Sequence, residues 1–429
     1  MWGYFWRVRA YTKCVTIIGM KSRYVNLLKH LFQRKRVYLD YAAATPVCDE
    51  VRRAMYPYMA DVFANPSAIH EEGQMARTAV EEARTSLART LRVRASEVTF
   101  TSGGTESNNL ALIGVVEAIH ATGRAYSDME IISTQIEHPS ILETLRFLES
   151  RGVGVRFAPV DADGRIVLDA FATLLTKKTV LVTIGYVNSE VGVIQDVRDV
   201  SRRIQDVKST AYLHVDASQA PLWLPCALDS LGADLLTLDS AKCYGPKGGG
   251  VLVHRERVPL RPYFHGGDQE RGLRPGTENV PIIVGSVAAV VRAQRDYKAR
   301  AERTRTLRDL FFTLLEEKLG NISPNFSING SRTHRVANNV NVSIGGVEGE
   351  FAVVSLDVRG IAASTRSACA GGKGGGSHVV ATLSGDNERA SSTVRFTLGE
   401  ETSERDIRHA VLALVQHVQG VRNVDLGTK

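Results

Sequence analysis

From Val37 onward, short apolar runs bounded by turn residues alternate with longer amphipathic segments of helical period, and this alternation most constrains the fold. The strand-like runs are residues 98–102, 130–134, 153–158, 180–187, 212–215, 233–238 and 250–254. Such runs, separated by helical patterns, build a mostly parallel central sheet flanked by helices on both faces, which makes the chain α/β. After Pro281 a helical pattern continues to about Leu319, followed by strand-like residues 338–344, 361–364 and 393–398 and a last helix from Ser403 to about Val418. This later part predicts a smaller α+β C-terminal domain. The boundaries read as a leader over 1–36, a segment 37–50 joining the small domain, a large domain over 51–290 and the small domain over 291–429.

The net charge of +7 would suggest a nucleic-acid or membrane partner if it were spread over the fold. It is not. Nine of the 53 Lys and Arg precede the first acidic residue, Asp40, which leaves the rest with 44 basic against 46 acidic residues. No direct nucleic-acid partner is therefore expected. The basic, acid-free leader overlaps in character with an organellar transit peptide; an inert extension, or a true start at Met20, is the plainer reading. No apolar stretch reaches the ~18–20 residues of a membrane-spanning helix. The five cysteines (Cys14, Cys48, Cys226, Cys243 and Cys369) form no C-x-x-C pair. Scattered and odd in number, they fit free thiols in a reducing compartment, so a cytoplasmic location is expected, with an organelle as the alternative.

In open α/β sheets ligands bind beyond the carboxyl ends of the strands. After Phe100 comes Ser102-Gly103-Gly104-Thr105-Glu106-Ser107 at the start of a helix, where glycines, a hydroxyl and aligned N–H groups can hold a phosphate. The same residues also read as a plain helix cap. After Val215 comes Asp216-Ala217-Ser218-Gln219; an acid there is paired or functional, because a lone buried carboxylate is costly. After Leu238, Lys242 is placed for a desolvated amine, a Schiff-base candidate, 26 positions beyond Asp216. A phosphate cradle, an acid for a pyridine nitrogen and an amine for an aldehyde are together the parts that hold pyridoxal 5'-phosphate.

With these parts in place, the chain resembles the cysteine desulfurases of the NifS/IscS type, within the class V aminotransferase family of fold-type-I pyridoxal-phosphate enzymes. The resemblance runs from about Tyr38 to about Ile407. It is carried by Tyr38 to Pro46, Asn65-Pro66-Ser67 with His70, the 102–109 run, Glu137-His138-Pro139-Ser140, Val187 to Gly192 and Asp216 to Gln219. Lys242 with Gly245-Pro246-Lys247-Gly248, Arg274 to Asn279, Ser367-Ala368-Cys369 and Val394-Arg395-Phe396 complete it. The resemblance implies the fold-type-I transferase fold, pyridoxal phosphate on Lys242, Asp216 at the pyridine nitrogen and Gln219 near the ring hydroxyl. Gly104, Thr105 and Ser240 hold the phosphate, and Thr277 reaches it from a second subunit, which implies a homodimer. His138 stacks on the ring and serves proton transfer, while Asn188 and Arg395 face the substrate carboxylate. Cys369 attacks the sulfur of L-cysteine as a thiolate, leaving alanine and a persulfide for an acceptor, either an iron–sulfur scaffold or a tRNA-thiolation relay.

Two departures stand out. The family commonly has a His immediately before the Schiff-base lysine, where this chain has Ala241, and the residues after Cys369 are nearly all glycine, over 371–376. Such a tract has few side chains to order it and is expected to be mobile. Cys48, Cys226 and Cys243 read as small buried hydrophobes, with Cys243 turned away from Lys242 by alternation along an extended segment. Selenocysteine lyase, an aminotransferase or β-lyase, and a non-catalytic binding partner acting through the leader remain open as alternatives.

Overall fold

The computed structural model describes residues 36–366 and 376–427. The leader 1–35, Cys369 and the glycines 371–375 lie outside the described residues. A short N-terminal strand β1 (Val37–Tyr38) precedes a seven-stranded sheet formed by β2 (Val98–Thr101), β3 (Glu130–Ser133), β4 (Gly154–Phe157), β5 (Thr179–Gly185), β6 (Tyr212–Asp216), β7 (Leu235–Asp239) and β8 (Gly250–His254). Its order is β2-β8-β7-β6-β5-β3-β4. Only β8 runs antiparallel to its neighbours. The central strands β5, β6 and β7 are almost wholly buried, as continuous apolar runs covered on two faces must be. The edge strand β4 is largely exposed.

Helices cover both faces. In α1 (Glu71–Leu91) Ala76, Ala79, Val80, Ala83, Leu87 and Leu91 fall at helical spacing and are buried. The α2 helix (Gly104–His120) buries Leu110, Leu112, Val115 and Val116 in the core that also holds Ile131, Leu181, Leu235 and Leu252. The α3 helix (Pro139–Ser150) lies beside α2 and buries Ile141, Leu145 and Leu148 in the same core.

The helical stretch after Pro281 is two helices, α4 (Val280–Arg295) and α5 (Tyr297–Leu319), parted at Asp296 with φ −119° and ψ 14°. The break separates two cores. Val287, Val290 and Ala293 of α4 pack into the large sheet's core, whereas Phe311, Phe312 and Leu315 of α5 belong to a second one. That second core covers an antiparallel sheet ordered β12-β10-β9, from β9 (Phe326–Ile328), β10 (Asn339–Ile344) and β12 (Thr393–Thr397). The sequence pattern missed β9, a three-residue strand at the sheet edge. The N-terminal segment joins this unit. β1 pairs in parallel with β11 (Ile361–Ala362), Asp40 bridges to Thr397, and Val37 and Leu39 enter the second core. The closing helix α6 (Glu404–Gly427) packs Ile407, Ala410, Leu414 and Val418 there. No helix of the described residues is long and apolar enough to cross a membrane.

Candidate active site

Because β8 alone is reversed, the carboxyl ends of β2, β3, β5, β6 and β7 share one edge of the sheet. There a cleft of about 880 Å³ is lined by Gly104, Thr105, His138, Asn188, Asp216, Gln219, Lys242 and Arg395. Gly104 and Thr105 follow β2, His138 follows β3, Asn188 follows β5, Asp216 and Gln219 end and follow β6, Lys242 follows β7, and Arg395 lies within β12, so the sheet order and the second sheet together build one site.

Lys242 closes a 3₁₀ turn (Ser240–Lys242) directly after β7, and the Asp239 side chain caps that turn by accepting the Ala241 N–H. The N-terminal segment straps the turn from the other side. Thr45 donates its hydroxyl to the Ala241 carbonyl at 2.9 Å, and the Lys242 amine donates to the Ala43 carbonyl at 2.5 Å. Gln219 donates to the neighbouring Ala42 carbonyl at 3.0 Å. Asp216 ends β6, and its carboxylate is fully oriented. Oδ1 accepts from the Ser218 N–H at 2.9 Å and its hydroxyl at 2.6 Å, and Oδ2 accepts from Asn108 at 2.8 Å.

His138 caps α3, its Nδ1 accepting the Ser140 N–H at 3.1 Å. That leaves the proton of the neutral ring on Nε2. Burial lowers the His138 pKa below the usual imidazole range, so the neutral ring is the resting form. Beside it, burial pushes the Glu137 carboxyl up to about 8 even though Thr134 and the Gly185 N–H hydrogen-bond to it. Arg395 is buried, with Nη1 donating to the Ser189 carbonyl and Nη2 to Asp40, both at 2.8 Å. Its Nε has no hydrogen-bond partner among the described residues, and neither has the buried Oδ1 of Asn108.

At the opposite end of the cleft the chain turns through Gly103, whose φ of 155° and ψ of 177° suit only glycine, into the N-terminus of α2. A Cβ on Gly104 would lie 2.9 Å from the Ser218 hydroxyl and 3.4 Å from Asp239 Cβ, so only glycine leaves this concavity open. The 17-residue helix α2 begins here, with the Gly104 N–H toward Asp239.

The model of the aminotransferase class-V family matches residues 37–409. The chain belongs to that family. As a member of the class-V aminotransferases, a family dependent on pyridoxal phosphate, it is 38% identical over 391 residues to the cysteine desulfurase IscS of Dictyoglomus turgidum, covering 91% of this chain and 96% of that protein. Among solved structures, a NifS-like protein superimposes with a TM-score of 0.82 at 33% identity, over 90% of this chain and 99% of that one. SspA, solved in complex with cysteine, gives 0.71 at 34% identity over 84% and 98%. These class-V relatives bear out the resemblance read from the sequence, its fold-type-I architecture and its cysteine desulfurase activity.

The cleft brings together Gly104, Thr105, His138, Asn188, Asp216, Gln219, Lys242 and Arg395. Ser240 and Thr277 do not line this cleft, Thr277 being expected to reach it from a second subunit. Ser240 is buried, and its hydroxyl bonds the Pro246 and Gly249 carbonyls at 2.6 and 2.9 Å; Asp239 lines the cleft instead. Thr277 lines a separate cleft of about 710 Å³ together with Ser102, Gly248 and Glu278. The Asn188 side chain is committed to backbone, with Oδ1 accepting the Glu190 and Val191 N–H groups and Nδ2 donating to the Ile136 carbonyl. Cys243 is buried as expected, but directly after a 3₁₀ turn rather than on an extended segment. Cys369 lies outside the described residues. Sequence reading passed over Asn108, Ser218, Glu137 and Asp239. An acid at a strand end, the signal that selected Asp216, was also present at Asp239.

Proposed function

We propose that the cleft holds pyridoxal phosphate through Lys242 and that the enzyme removes sulfur from L-cysteine, releasing L-alanine and loading a persulfide onto Cys369. The convergence of the Lys242 amine, the Asp216 carboxylate and the α2 N-terminus on one cleft carries this reading. The donor set fits the cofactor: an amine for the aldehyde, an oriented acid for the ring nitrogen, a glycine-lined helix start for the phosphate, and buried polar atoms still lacking partners. When bound, the cofactor supplies an electron sink conjugated to the substrate Cα.

The residues divide the remaining work. Lys242, whose amine now rests on the Ala43 carbonyl, would hold the cofactor by its aldehyde, and as a free amine it would be the base for the substrate Cα proton. The unpartnered Nε of Arg395 receives the substrate carboxylate, while Asp40 and Ser189 keep the guanidinium in place. The neutral His138 ring offers a flat face and an Nε2–H donor. The Cys369 thiolate attacks the substrate sulfur. An S–S bond forms as the Cβ–S bond breaks, and the electron pair left on carbon takes a proton to give alanine. An iron–sulfur scaffold or a tRNA-thiolation relay takes the persulfide sulfur, and a second copy of the chain brings Thr277 to the phosphate.

The test is a visible spectrum of the purified protein before and after L-cysteine, with alanine and sulfide assayed alongside and selenocysteine run in parallel. A cofactor band that L-cysteine alters, with stoichiometric alanine, is expected. A protein inert to L-cysteine but active on selenocysteine overturns the substrate, and one without the band overturns the cofactor.

A further inference from the structure

The anion seat at the start of α2 already has an acid beside it. Asp239 ends β7 and lines the cleft, close enough that its Cβ and Oδ2 would meet a Cβ built on Gly104 at 3.4 and 3.5 Å. The Gly104 N–H, the first donor a bound phosphate would use, faces this carboxylate and favours its ionised form. We propose that Asp239 makes cofactor binding a proton-coupled event: the ionised carboxylate competes for the phosphate seat, and the phosphate ester settles there as Asp239 takes up a proton from solvent.

The surroundings support this. Burial raises the Asp239 pKa, and Asp216 on the neighbouring strand adds to the rise. Lys242, on the following turn, and the N–H groups of Ala241 and Gly104 oppose it. Among the described residues, Lys242 is the cation that acts most on the carboxylate. From α3 His138 faces the same group as a neutral ring, and Cys243 donates its thiol to the Asp239 carbonyl. On the β8 side Asp239 is paired with Gly250, which offers no charge. A phosphate arriving here meets a second anion, and among the described residues no Arg or Lys besides Lys242 and Arg395 lines the cleft, so bringing it in raises the proton affinity of Asp239 further.

This rests on the reading of the cleft as a pyridoxal-phosphate site, and the experiment separates the two. Apoprotein is titrated with pyridoxal phosphate, unphosphorylated pyridoxal and inorganic phosphate between pH 6 and 8.5, in the native chain and in Asp239→Asn and Asp239→Ser. Asn keeps an oxygen for the Ala241 N–H, Ser is short and neutral, and thermal melts of the apoproteins verify folding. Both variants are expected to bind pyridoxal phosphate tighter at pH 8, on the order of 10–100-fold for one removed like charge. The gain shrinks toward pH 6, and the slope of log Kd against pH falls by up to about one unit, one proton per site. Pyridoxal affinity stays unchanged. Equal effects on pyridoxal and its phosphate, or no effect on either, overturn the proposal. If the native chain shows no cofactor band at any pH, the cofactor reading fails. The seat is then judged by inorganic phosphate alone, which must raise the melting temperature of Asp239→Asn more than that of the native chain at pH 8.

Discussion

The buried Glu270 pins the segment that carries Thr277, together with the Arg274–Glu106 pair, and removing that acid is a sharp test of how the site is held. Glu270 grips Arg84 through two bonds of 2.7 and 2.8 Å and accepts the Phe100 N–H at 2.8 Å. The two side chains are 2% and 4% exposed, and the guanidinium lies 4.7 Å over the Phe100 ring. Truncation to Ala leaves Arg84 buried with only the Val98 carbonyl and the exposed Glu81 to hold it. Breaking one side of such a pair costs about 3–5 kcal/mol, whereas replacing both partners by apolar residues costs far less. Glu270 also sits at φ 48° and its neighbour Arg271 at φ 59°, a backbone that glycine adopts more cheaply. Four variants therefore rank in a fixed order. Glu270→Ala is the worst and Glu270→Gly is milder by about 1 kcal/mol. Arg84→Met is severe, because it strands the acid. Arg84→Met with Glu270→Met is less destabilised than either charge-stranding single variant. Urea unfolding at matched cofactor content measures the series. A loss below about 1 kcal/mol for Glu270→Ala, or a double variant as damaged as the sum of the singles, refutes the reasoning.

Three further outcomes follow from the site. Cys369→Ala keeps the cofactor band and its response to L-cysteine but loses alanine formation by at least about 100-fold; full alanine production would point to an aminotransferase or β-lyase instead. Arg395→Lys keeps a charge but loses the Nε donor, so KM for cysteine rises by about 10–100-fold with kcat less affected, which steady-state kinetics resolves. Glu137, pushed up to about 8 by burial, holds a proton in the folded chain that an unfolded carboxyl near 4.5 has released. The native state then binds more protons, and stability falls as pH rises from about 4.5 to about 8, by up to about 1.4 kcal/mol per pH unit. Glu137→Gln flattens that slope, as urea midpoints at pH 5.5 and 7.5 will register, and parallel slopes for the two proteins count against a protonated Glu137.

How much of this was legible in the sequence depends on whether the cause was local. The strand over 180–187 was visible because a strand buried on two faces is an apolar run whatever surrounds it. Lys242, Asp216 and Thr105 were visible because each follows such a run. Asn108 and Ser218 look like an ordinary helix polar residue and an ordinary turn residue. Ser218 holds Asp216 across a two-residue turn, but the work of Asn108 exists only because the sheet order sets α2 against β6, a relation no stretch of sequence contains. The break at Asp296 was hidden for a similar reason. Both helices keep the 3.6-residue period, and only the existence of two cores requires the chain to leave one for the other. The exchange of Ser240 for Asp239 has a different origin. The resemblance implied Ser240 at the phosphate without fixing which way its side chain turns. A 3₁₀ turn has three residues per turn, so successive side chains are a third of a turn apart. That rotation sends the Ser240 hydroxyl to the Pro246 and Gly249 carbonyls and leaves Asp239 at the cradle. The most local of these features was thus the easiest to misplace, because residue types announce the chemistry of a turn but the rotation of each residue decides which side chain faces the ligand.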